Sequence, residues 1–173
     1  MSRLGWFSLP ATAAPGESDR MLENLTIRLA AEGMRLAGAV QYNLDTRPDC
    51  ACDMELQLTG SAGPRIRISQ SLGPGSSGCR LDVGALETAS GHVIAQLGRN
   101  PQLVILPKFG KQEAFGRGFC QPIAMALERD IPVLLHVAPE QLSAFTAFAG
   151  DLAERITPAG LAAWCRTVVA TPA

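Results

Sequence analysis

The stretch from Gln102 to Val137 reads QLVILPKFGKQEAFGRGFCQPIAMALERDIPVLLHV and decides the fold. At its two ends lie near-continuous apolar runs, Gln102–Leu106 and Pro132–Val137, which are typical of strands buried on both faces of a parallel sheet. Between these runs, Phe119–Arg129 has the apolar period of a helix. The stretch therefore predicts a strand, a helix and a second strand that belong to one parallel sheet.

The same alternation continues toward both ends of the chain. A strand at Leu4–Leu9 precedes a helix that Glu17 or Ser18 opens and Gly33 ends, and a second strand follows at Leu36–Tyr42. Asp82 is the predicted N-cap of a further helix. The remaining predicted helices cover Val83 to Leu97, Pro139–Ala149 and about Pro158 to Val169.

A hairpin interrupts this alternation in the middle of the chain. Met54–Leu58 and Arg65–Ser69 alternate with period two on either side of a glycine-containing turn. We therefore predict one α/β domain over residues 1–173, with a three-layer fold and a mostly parallel sheet. The hairpin is an insertion at about 53–70, and a terminal helix lies at about 158–169.

Composition excludes several classes of protein. The 173 residues are 47% hydrophobic and 18% charged, which is incompatible with a disordered linker. A net charge of −1 supplies no overall field toward nucleic acid or an anionic membrane. No apolar run approaches the length of a membrane span. We expect a cytoplasmic protein that binds neither nucleic acid nor membrane.

Cysteine usage favours reduced thiols over a disulfide framework or a metal centre. Cys50 and Cys52 could supply two thiolates, but no second close pair follows them, and a closed zinc site usually has two such pairs. The role of Cys79 stays open in the same way. We expect no metal ligands and no required cofactor. The five cysteines are Cys50, Cys52, Cys79, Cys120 and Cys165.

The two lysines of the chain lie together after the central predicted strand. Lys108 and Lys111, with Arg117, place three cations in ten residues that contain one acid, Glu113. In a parallel α/β sheet, ligands bind beyond the carboxyl ends of the strands. This edge is predicted to consist of the loops Pro10–Ser18, Asn43–Cys52, Lys108–Arg117 and Val137–Glu140. The cations therefore indicate an anion site, with a solvated surface loop as the alternative.

A second candidate anion site is the glycine-rich segment from Gly73 to Gly78. It matches the spacing GxGxxG, but Pro74 removes one backbone N–H, and no acid follows the next strand as a dinucleotide site requires. Serine hydroxyls and free N–H groups still suit an oxyanion nest, with a glycine turn as the alternative. Its candidate ligands are Ser76, Ser77, the backbone of Gly75 and Gly78, and the neighbouring Arg80.

Hydrolytic chemistry finds little support in the sequence. The only Gly-Lys pair, Gly110-Lys111, is followed by Gln112, so it does not end a Walker A motif. No Gly-x-Ser-x-Gly motif is present. His136 closes an apolar strand and is interpreted as a structural residue. We expect Glu113 to form a surface ion pair with Lys111, with a general base as the alternative. Nothing in the sequence requires an enzyme.

Three motifs resemble a bacterial family of unknown function whose members are often encoded beside molybdate-transport or nitrogenase genes. The motifs are Pro107–Phe119, Ser69–Asp82 and Gly38–Asn43, and the likeness extends from about Leu9 to Cys165. That family is similar to small P-loop nucleoside-triphosphatases, from which it departs at both nucleotide motifs. The resemblance implies a P-loop-type fold in which Pro107 and Lys108 replace the acids of the Walker B strand.

This replacement leads to our leading hypothesis, which is a protein that binds an oxyanion without hydrolysing a nucleotide. Molybdate or tungstate is the expected ligand, as a single ion or an oxo cluster, for storage or delivery. A cluster would need copies of the site from a homo-oligomer. The alternatives are a vestigial nucleotide-binding NTPase and a regulatory partner of a molybdate-transport or molybdenum-enzyme system. The expected anion ligands are Lys108, Lys111, Arg117, Ser69, Gly75, Ser76, Ser77, Gly78 and Arg80, and Gly16 and Ser18 belong to a candidate nucleotide or anion loop.

Overall fold

The computed structural model describes residues 3–44, 53–60, 62–70 and 80–172, and a seven-stranded sheet forms its centre. The strands of this sheet are β1 (Leu4–Phe7), β2 (Leu36–Leu44), β3 (Asp53–Leu58), β4 (Ile66–Arg67), β7 (Leu103–Phe109), β8 (Val133–Val137) and β9 (Ala153–Arg155), and a separate antiparallel pair is formed by β5 (Ser69–Gln70) and β6 (Arg80–Leu81). Their order in the sheet is β4-β3-β2-β7-β8-β1-β9. The five strands from β2 to β9 in this order are parallel, whereas β3 and β4 pair antiparallel beside them.

Helices cover both faces of this sheet. One face packs against the first and last helices through a core that includes Leu22, Leu29 and Trp164, and the other face packs against the middle helices through Val93 and Ile123. The result is the three-layer α/β fold that the sequence predicts. The helices are α1 (Glu17–Ala31), α2 (Val83–Leu97), α3 (Lys111–Ala114), α4 (Cys120–Leu127), α5 (Leu142–Ala149) and α6 (Leu161–Ala170), and short 3₁₀ turns precede α5 and α6.

The helix boundaries follow local signals closely. The predicted cap of α2 is confirmed, because Asp82 Oδ1 accepts a 2.9 Å hydrogen bond from the N–H of Ala85. Helix α1 begins at Glu17, one of the two predicted residues. It ends two residues before Gly33, whose φ of 85° turns the chain toward β2. Glycine adopts this left-handed conformation without strain.

The contact between the two central parallel strands depends on Gly38. This residue has a φ of 113°, and a Cβ atom at this position would collide with the carbonyl oxygen of Ile105 in β7. Its N–H donates instead to Gln96 Oε1 of α2 at 2.9 Å. The absence of a side chain therefore lets β2 lie against β7 at this point.

The predicted second strand of the hairpin is divided in the structure. Ile66 and Arg67 pair with β3, and Ser69 and Gln70 pair instead with β6. Between them, the N–H of Ile68 donates to the carbonyl of Met54 at 2.9 Å. The prediction of one continuous strand over Arg65–Ser69 was therefore wrong, because the chain changes its pairing partner at Ile68.

Within the described ranges, no helix has both the length and the apolar character needed to span a bilayer. Of the cysteines in these ranges, Cys120 and Cys165 are buried free thiols. Burial raises the pKa of Cys120 to about 11 and that of Cys165 to about 12, so both are protonated and inert near neutral pH. Cys50, Cys52 and Cys79 lie outside the described residues.

Candidate functional site

A cavity of about 670 Å³ opens at the carboxyl edge of the parallel strands. It lies between the β1–α1 loop, the end of β2, the end of β7 and the loop after β8. Its volume falls in the range of small-molecule sites in proteins, roughly 300–1,000 Å³. Its lining includes Gly16, Ser18, Asp19, Arg20, Gln41, Asn43, Lys108, Lys111 and His136.

The β1–α1 loop presents the N-terminus of α1 to this cavity. Gly16 precedes the helix with a φ of 74°, and its carbonyl accepts from the N–H of Arg20 at 3.1 Å. Ser18 lies in the first helical turn and lines the cavity. The N-terminus of a 15-residue helix carries a partial positive charge that favours an anion.

This loop occupies the place of a Walker A loop, between the first strand and the first helix. Gly16-Glu17-Ser18 corresponds to the Gly-Lys-Ser/Thr end of the motif, and Ala11 stands where its first glycine is required. Glu17 therefore replaces the phosphate-binding lysine. Its carboxylate accepts a 2.9 Å hydrogen bond from the N–H of Ala14 in the same loop. The loop therefore lacks the cation that a P-loop uses to bind phosphate.

A chain of hydrogen-bonded polar side chains connects α1 to β2 along one wall of the cavity. Gln41 Nε2 donates to Asn43 Oδ1 at 2.9 Å, and Asn43 Nδ2 donates to Asp19 Oδ2 at 2.7 Å. Burial raises the pKa of Asp19, while the charge of Lys108 and the bond from Asn43 oppose this shift. Lys108 therefore interacts with the Asp19 carboxylate from the opposite wall.

The opposite wall carries the two lysines. Lys108 is the penultimate residue of β7, and Lys111 opens the single-turn helix α3. Gly110 lies between the strand and the helix and is the N-cap residue of α3, with an extended backbone. Both lysines line the cavity. The structure therefore brings Lys108 and Lys111 together with Gly16 and Ser18 in the lining of one cavity.

Glu113 holds this wall in place from inside the protein. It is only 4% exposed. One carboxylate oxygen accepts from the N–H of Gly110, and the other accepts from the N–H of Phe119, both at 2.9 Å. The predicted surface ion pair with Lys111 was therefore wrong, because Glu113 is buried and its carboxylate accepts hydrogen bonds from backbone N–H groups. Burial also raises its pKa, against the effect of these hydrogen bonds.

Helix α2 fixes the far end of the same loop. The N–H of Gly118 donates to Glu87 Oε1 at 2.6 Å, and Ser90 Oγ donates to the carbonyl of Gly118 at 2.8 Å. Gly118 has a φ of 59°, and a Cβ atom there would collide with the carboxylate of Glu113. Hydrogen bonds thus hold the lysine-bearing segment at Gly110 and at Gly118, while Lys111 and residues 114–117 are exposed.

His136 lies near the end of β8 and is 9% exposed. Its ring packs against Phe7 with centroids 5.2 Å apart. Within the described part of the chain, Nε2 is buried without a hydrogen-bond partner. Desolvation and then the charge of Lys108 lower the pKa of His136 to about 4, which Glu140 opposes. The imidazole is therefore neutral at physiological pH and adds no charge to the cavity.

Two of the other predicted anion ligands, Ser69 and Arg117, are described by the structure and are not among the residues that line the cavity. Ser69 Oγ accepts from the N–H of Met54 at 3.0 Å and donates to Asp53 Oδ1 at 3.3 Å, so it belongs to the hairpin. Arg117 is exposed beyond α3. Arg80 contributes its backbone to β6. Gly75, Ser76, Ser77 and Gly78 lie outside the described residues.

Sequence reasoning missed several residues of this site. Gln41 and Asn43 are polar residues two positions apart in an otherwise apolar strand, and this spacing puts both on one face, which was a usable signal. Arg20 also lines the cavity, and its Nη1 donates to the carbonyl of Pro15 at 3.2 Å. Asp19 gave no signal, since acids are common in the first turn of any helix.

Comparisons with known proteins agree with this architecture. Residues 11–164 match the model of a family described as a protein of unknown function, DUF2478. A crystal structure of THEP1 from the hyperthermophile Aquifex aeolicus covers 95% of this chain and is itself covered to 95%, with a TM-score of 0.60 at 15% identity. This likeness shows the fold, which is an α/β architecture with a mostly parallel open sheet.

One curated relative connects the sequence to a transport protein. This chain is 34% identical, over 134 residues or 78% of its length, to the molybdenum import ATP-binding protein ModC 2 of Bradyrhizobium diazoefficiens strain USDA 110. The match spans 15% of the length of that relative.

Proposed function

The chain belongs to the DUF2478 family of proteins of unknown function, and we propose that it binds an oxyanion at the carboxyl edge of its sheet without hydrolysing a nucleotide. The observation that carries this proposal is the position of Lys108. It stands at the end of the central strand β7 and shares the cavity with Lys111 and the N-terminus of α1. Charge-assisted hydrogen bonds from ammonium groups to oxyanions are among the strong hydrogen bonds in proteins.

Two exchanged charges disfavour nucleotide hydrolysis by this chain. Glu17 stands where a P-loop enzyme has its phosphate-binding lysine, and Lys108 stands where the Walker B strand has a magnesium-binding acid. A cation in the second position repels magnesium and attracts an anion. The exchange therefore moves the anion-binding charge from the β1–α1 loop to β7.

The anion is expected on the β7 side of the cavity. Asp19, Glu23 and Glu140 also line the cavity, but two of these acids lie on α1 and the third follows β8. Glu23 is further occupied by Tyr42, whose hydroxyl donates to its Oε1 at 2.8 Å. The Lys108–Lys111 wall carries two cations and contributes no acid to the lining, so it favours negative charge more than the α1 side does.

Molybdate or tungstate is the proposed ligand, because the relative at 34% identity is named as a molybdenum import protein. Storage or delivery of the ion in the cytoplasm fits a site that binds without hydrolysis. If the ligand is an oxo cluster, a closed homo-oligomer supplies the repeated sites. Size-exclusion chromatography with light scattering, with and without molybdate, tests this assembly.

A thermal-shift panel with molybdate, tungstate, sulfate, phosphate and Mg-ATP tests the ligand class. A ligand at one hundred times its Kd stabilises by about 2.7 kcal/mol, which raises the midpoint by roughly 5–10 °C for a chain of this size. We expect a shift with molybdate or tungstate that the Lys108→Glu/Lys111→Glu variant loses. Arg99→Glu, at an exposed site on the opposite edge of the sheet, is the charge control and should retain the shift. A normal shift in the double variant would contradict the proposal.

A second candidate is a vestigial nucleotide-binding domain, which the cavity volume of about 670 Å³ and the α1 N-terminus favour. Its test is the Glu17→Lys variant, which restores the Gly-Lys-Ser sequence of a Walker A motif. Nucleotide binding would be supported if Mg-ATP raised the thermal midpoint of the parent protein and raised that of the variant further. A response to none of the five ligands would instead favour the third alternative, a regulatory partner protein of a molybdate-transport system.

A further inference from the structure

A second, smaller cavity of about 160 Å³ lies behind the lysine-bearing wall, between the hairpin and α2. It shares part of its lining with the large cavity, so the two cavities meet at the lysines. The shared residues are Gln41, Met54, Lys108, Gly110 and Lys111.

Away from the lysines, the small cavity is lined by the polar residues Gln41, Gln112 and Glu113 and by apolar side chains from five places in the chain. These apolar side chains are Leu56 from β3, Leu81 from β6, Leu86 from α2, Phe119 before α4, and Ile68. Four of these five side chains are buried hydrophobic residues of the core. Native cores contain few spaces larger than a water molecule, and an apolar cavity of about 150 Å³ lined by Leu, Ile and Phe binds benzene.

One polar atom in this wall has no hydrogen-bond partner among the described residues. Gln112 lines the small cavity, and its Oε1 is buried without a donor. A buried acceptor without a partner is unfavourable. An N–H or O–H substituent on a ring in the cavity would supply that donor, so an unsubstituted phenyl ring tests the apolar contacts alone.

We propose that the small cavity is an apolar subsite that binds an uncharged ring of about the size of benzene, attached to the oxyanion held by Lys108 and Lys111. The site then accepts organic oxyanions, such as aryl phosphates, as well as inorganic ones. The size of the cavity fits one ring, and the lysines at its mouth match the charged group. This inference rests on the proposed oxyanion site and extends its ligand class.

Isothermal titration calorimetry with phenyl phosphate and methyl phosphate tests the subsite, since the two esters share a charged group and differ in the ring. We expect phenyl phosphate to bind the parent protein about 10- to 100-fold more tightly, from burial of the ring. Equal affinities for the two esters would overturn the inference.

A variant with a larger side chain in the small cavity is the matched control for the parent protein. Leu86→Phe places a larger side chain in the subsite and should remove the advantage of phenyl phosphate, while methyl phosphate binds as before. Leu81→Phe, on the other wall of the same cavity, replaces it if circular dichroism shows that the first variant does not fold. A retained preference for phenyl phosphate in the folded, filled variant would overturn the inference.

Inorganic molybdate and phosphate, titrated in parallel, separate the two proposals. Binding of either ion without a preference for the phenyl ester overturns the subsite alone. Binding of phenyl phosphate with no binding of either ion overturns the inorganic-oxyanion proposal, while the subsite stands. No binding of any of these ligands overturns both.

Discussion

Asn43 Nδ2 donates a 2.7 Å hydrogen bond to Asp19 Oδ2 and thereby joins the end of β2 to the first turn of α1. The bond holds a buried carboxylate across the cavity from Lys108. An anion that binds to Lys108 therefore competes with Asp19 for the charge of this lysine. The affinity of the proposed site for an anion therefore depends on how strongly the Asp19 carboxylate already interacts with Lys108.

This competition predicts that Asp19→Asn strengthens oxyanion binding. The substitution removes a negative charge near Lys108 and keeps the size of the side chain, so the Kd for molybdate should fall about 3- to 10-fold. Calorimetric titration measures the change. Glu128→Gln, exposed after α4, removes an equal charge far from the cavity and should leave the Kd unchanged. Weaker binding in Asp19→Asn would show that the carboxyl contacts the ligand favourably.

Glu113 is predicted to act as a positioning residue for the lysine wall. Glu113→Ala leaves the N–H groups of Gly110 and Phe119 without their acceptor, which should lower the free energy of unfolding by about 2–4 kcal/mol. Urea denaturation measures this loss. Glu128→Ala, at an exposed position, should change the stability by less than about 0.5 kcal/mol. Equal stabilities of the two variants would contradict the role of Glu113.

His136 gives the stability a defined pH dependence. Its pKa falls from 6.5 to about 4 on folding, so between these values the unfolded chain binds a proton that the folded protein does not. Stability is therefore lost as the pH falls from 6.5 to 4, by about 3 kcal/mol in total. Above pH 6.5 this residue contributes no pH dependence.

The His136→Phe variant isolates this effect from the titration of Asp19 and Glu113, whose raised pKa values act in the opposite direction. Urea denaturation of both proteins between pH 4 and 7 should show that the parent loses more stability on acidification. Parallel pH profiles of the parent and the variant would contradict the account of His136.

Two glycine substitutions should have opposite effects. Gly38→Ala forces a Cβ atom against the carbonyl of Ile105 at a left-handed φ, so a loss above about 3 kcal/mol is expected. Gly91→Ala, at an exposed site in α2 with open space around it, should gain about 0.5–1 kcal/mol. Thermal denaturation of the two variants checks both signs. A mild effect of Gly38→Ala would show that β2 and β7 can separate locally.

The architecture was predictable because its strands are buried on both faces. A near-continuous apolar run such as Pro132–Val137 is typical of a strand that is buried on both faces of a parallel sheet. The start of α2 was predictable because the Asp82 side chain caps the helix through a local hydrogen bond. Helix α3 was not predictable, because it has only four residues and depends on the buried carboxylate of Glu113. The three-residue strand β9 likewise gives too short a pattern.

The candidate site was predictable in part. Lys108 and Lys111 were identified from their charge and their place after a buried strand, which a parallel sheet puts at its ligand edge. The pairing of Asp19 with Asn43 joins residues 24 positions apart and depends on tertiary packing. The place of Glu17 in a Walker A loop could have been read from Gly16-Glu17-Ser18, once the loop was assigned between the first strand and the first helix.

The most direct test of the central claim is the Kd of molybdate for the Lys108→Gln variant, measured by isothermal titration calorimetry beside the parent protein and Arg99→Gln. The account predicts that Lys108→Gln weakens binding at least about tenfold, as the loss of a charge-assisted hydrogen bond requires. Arg99→Gln should bind as the parent does. Equal affinities for all three proteins, or no binding by the parent, would contradict the account.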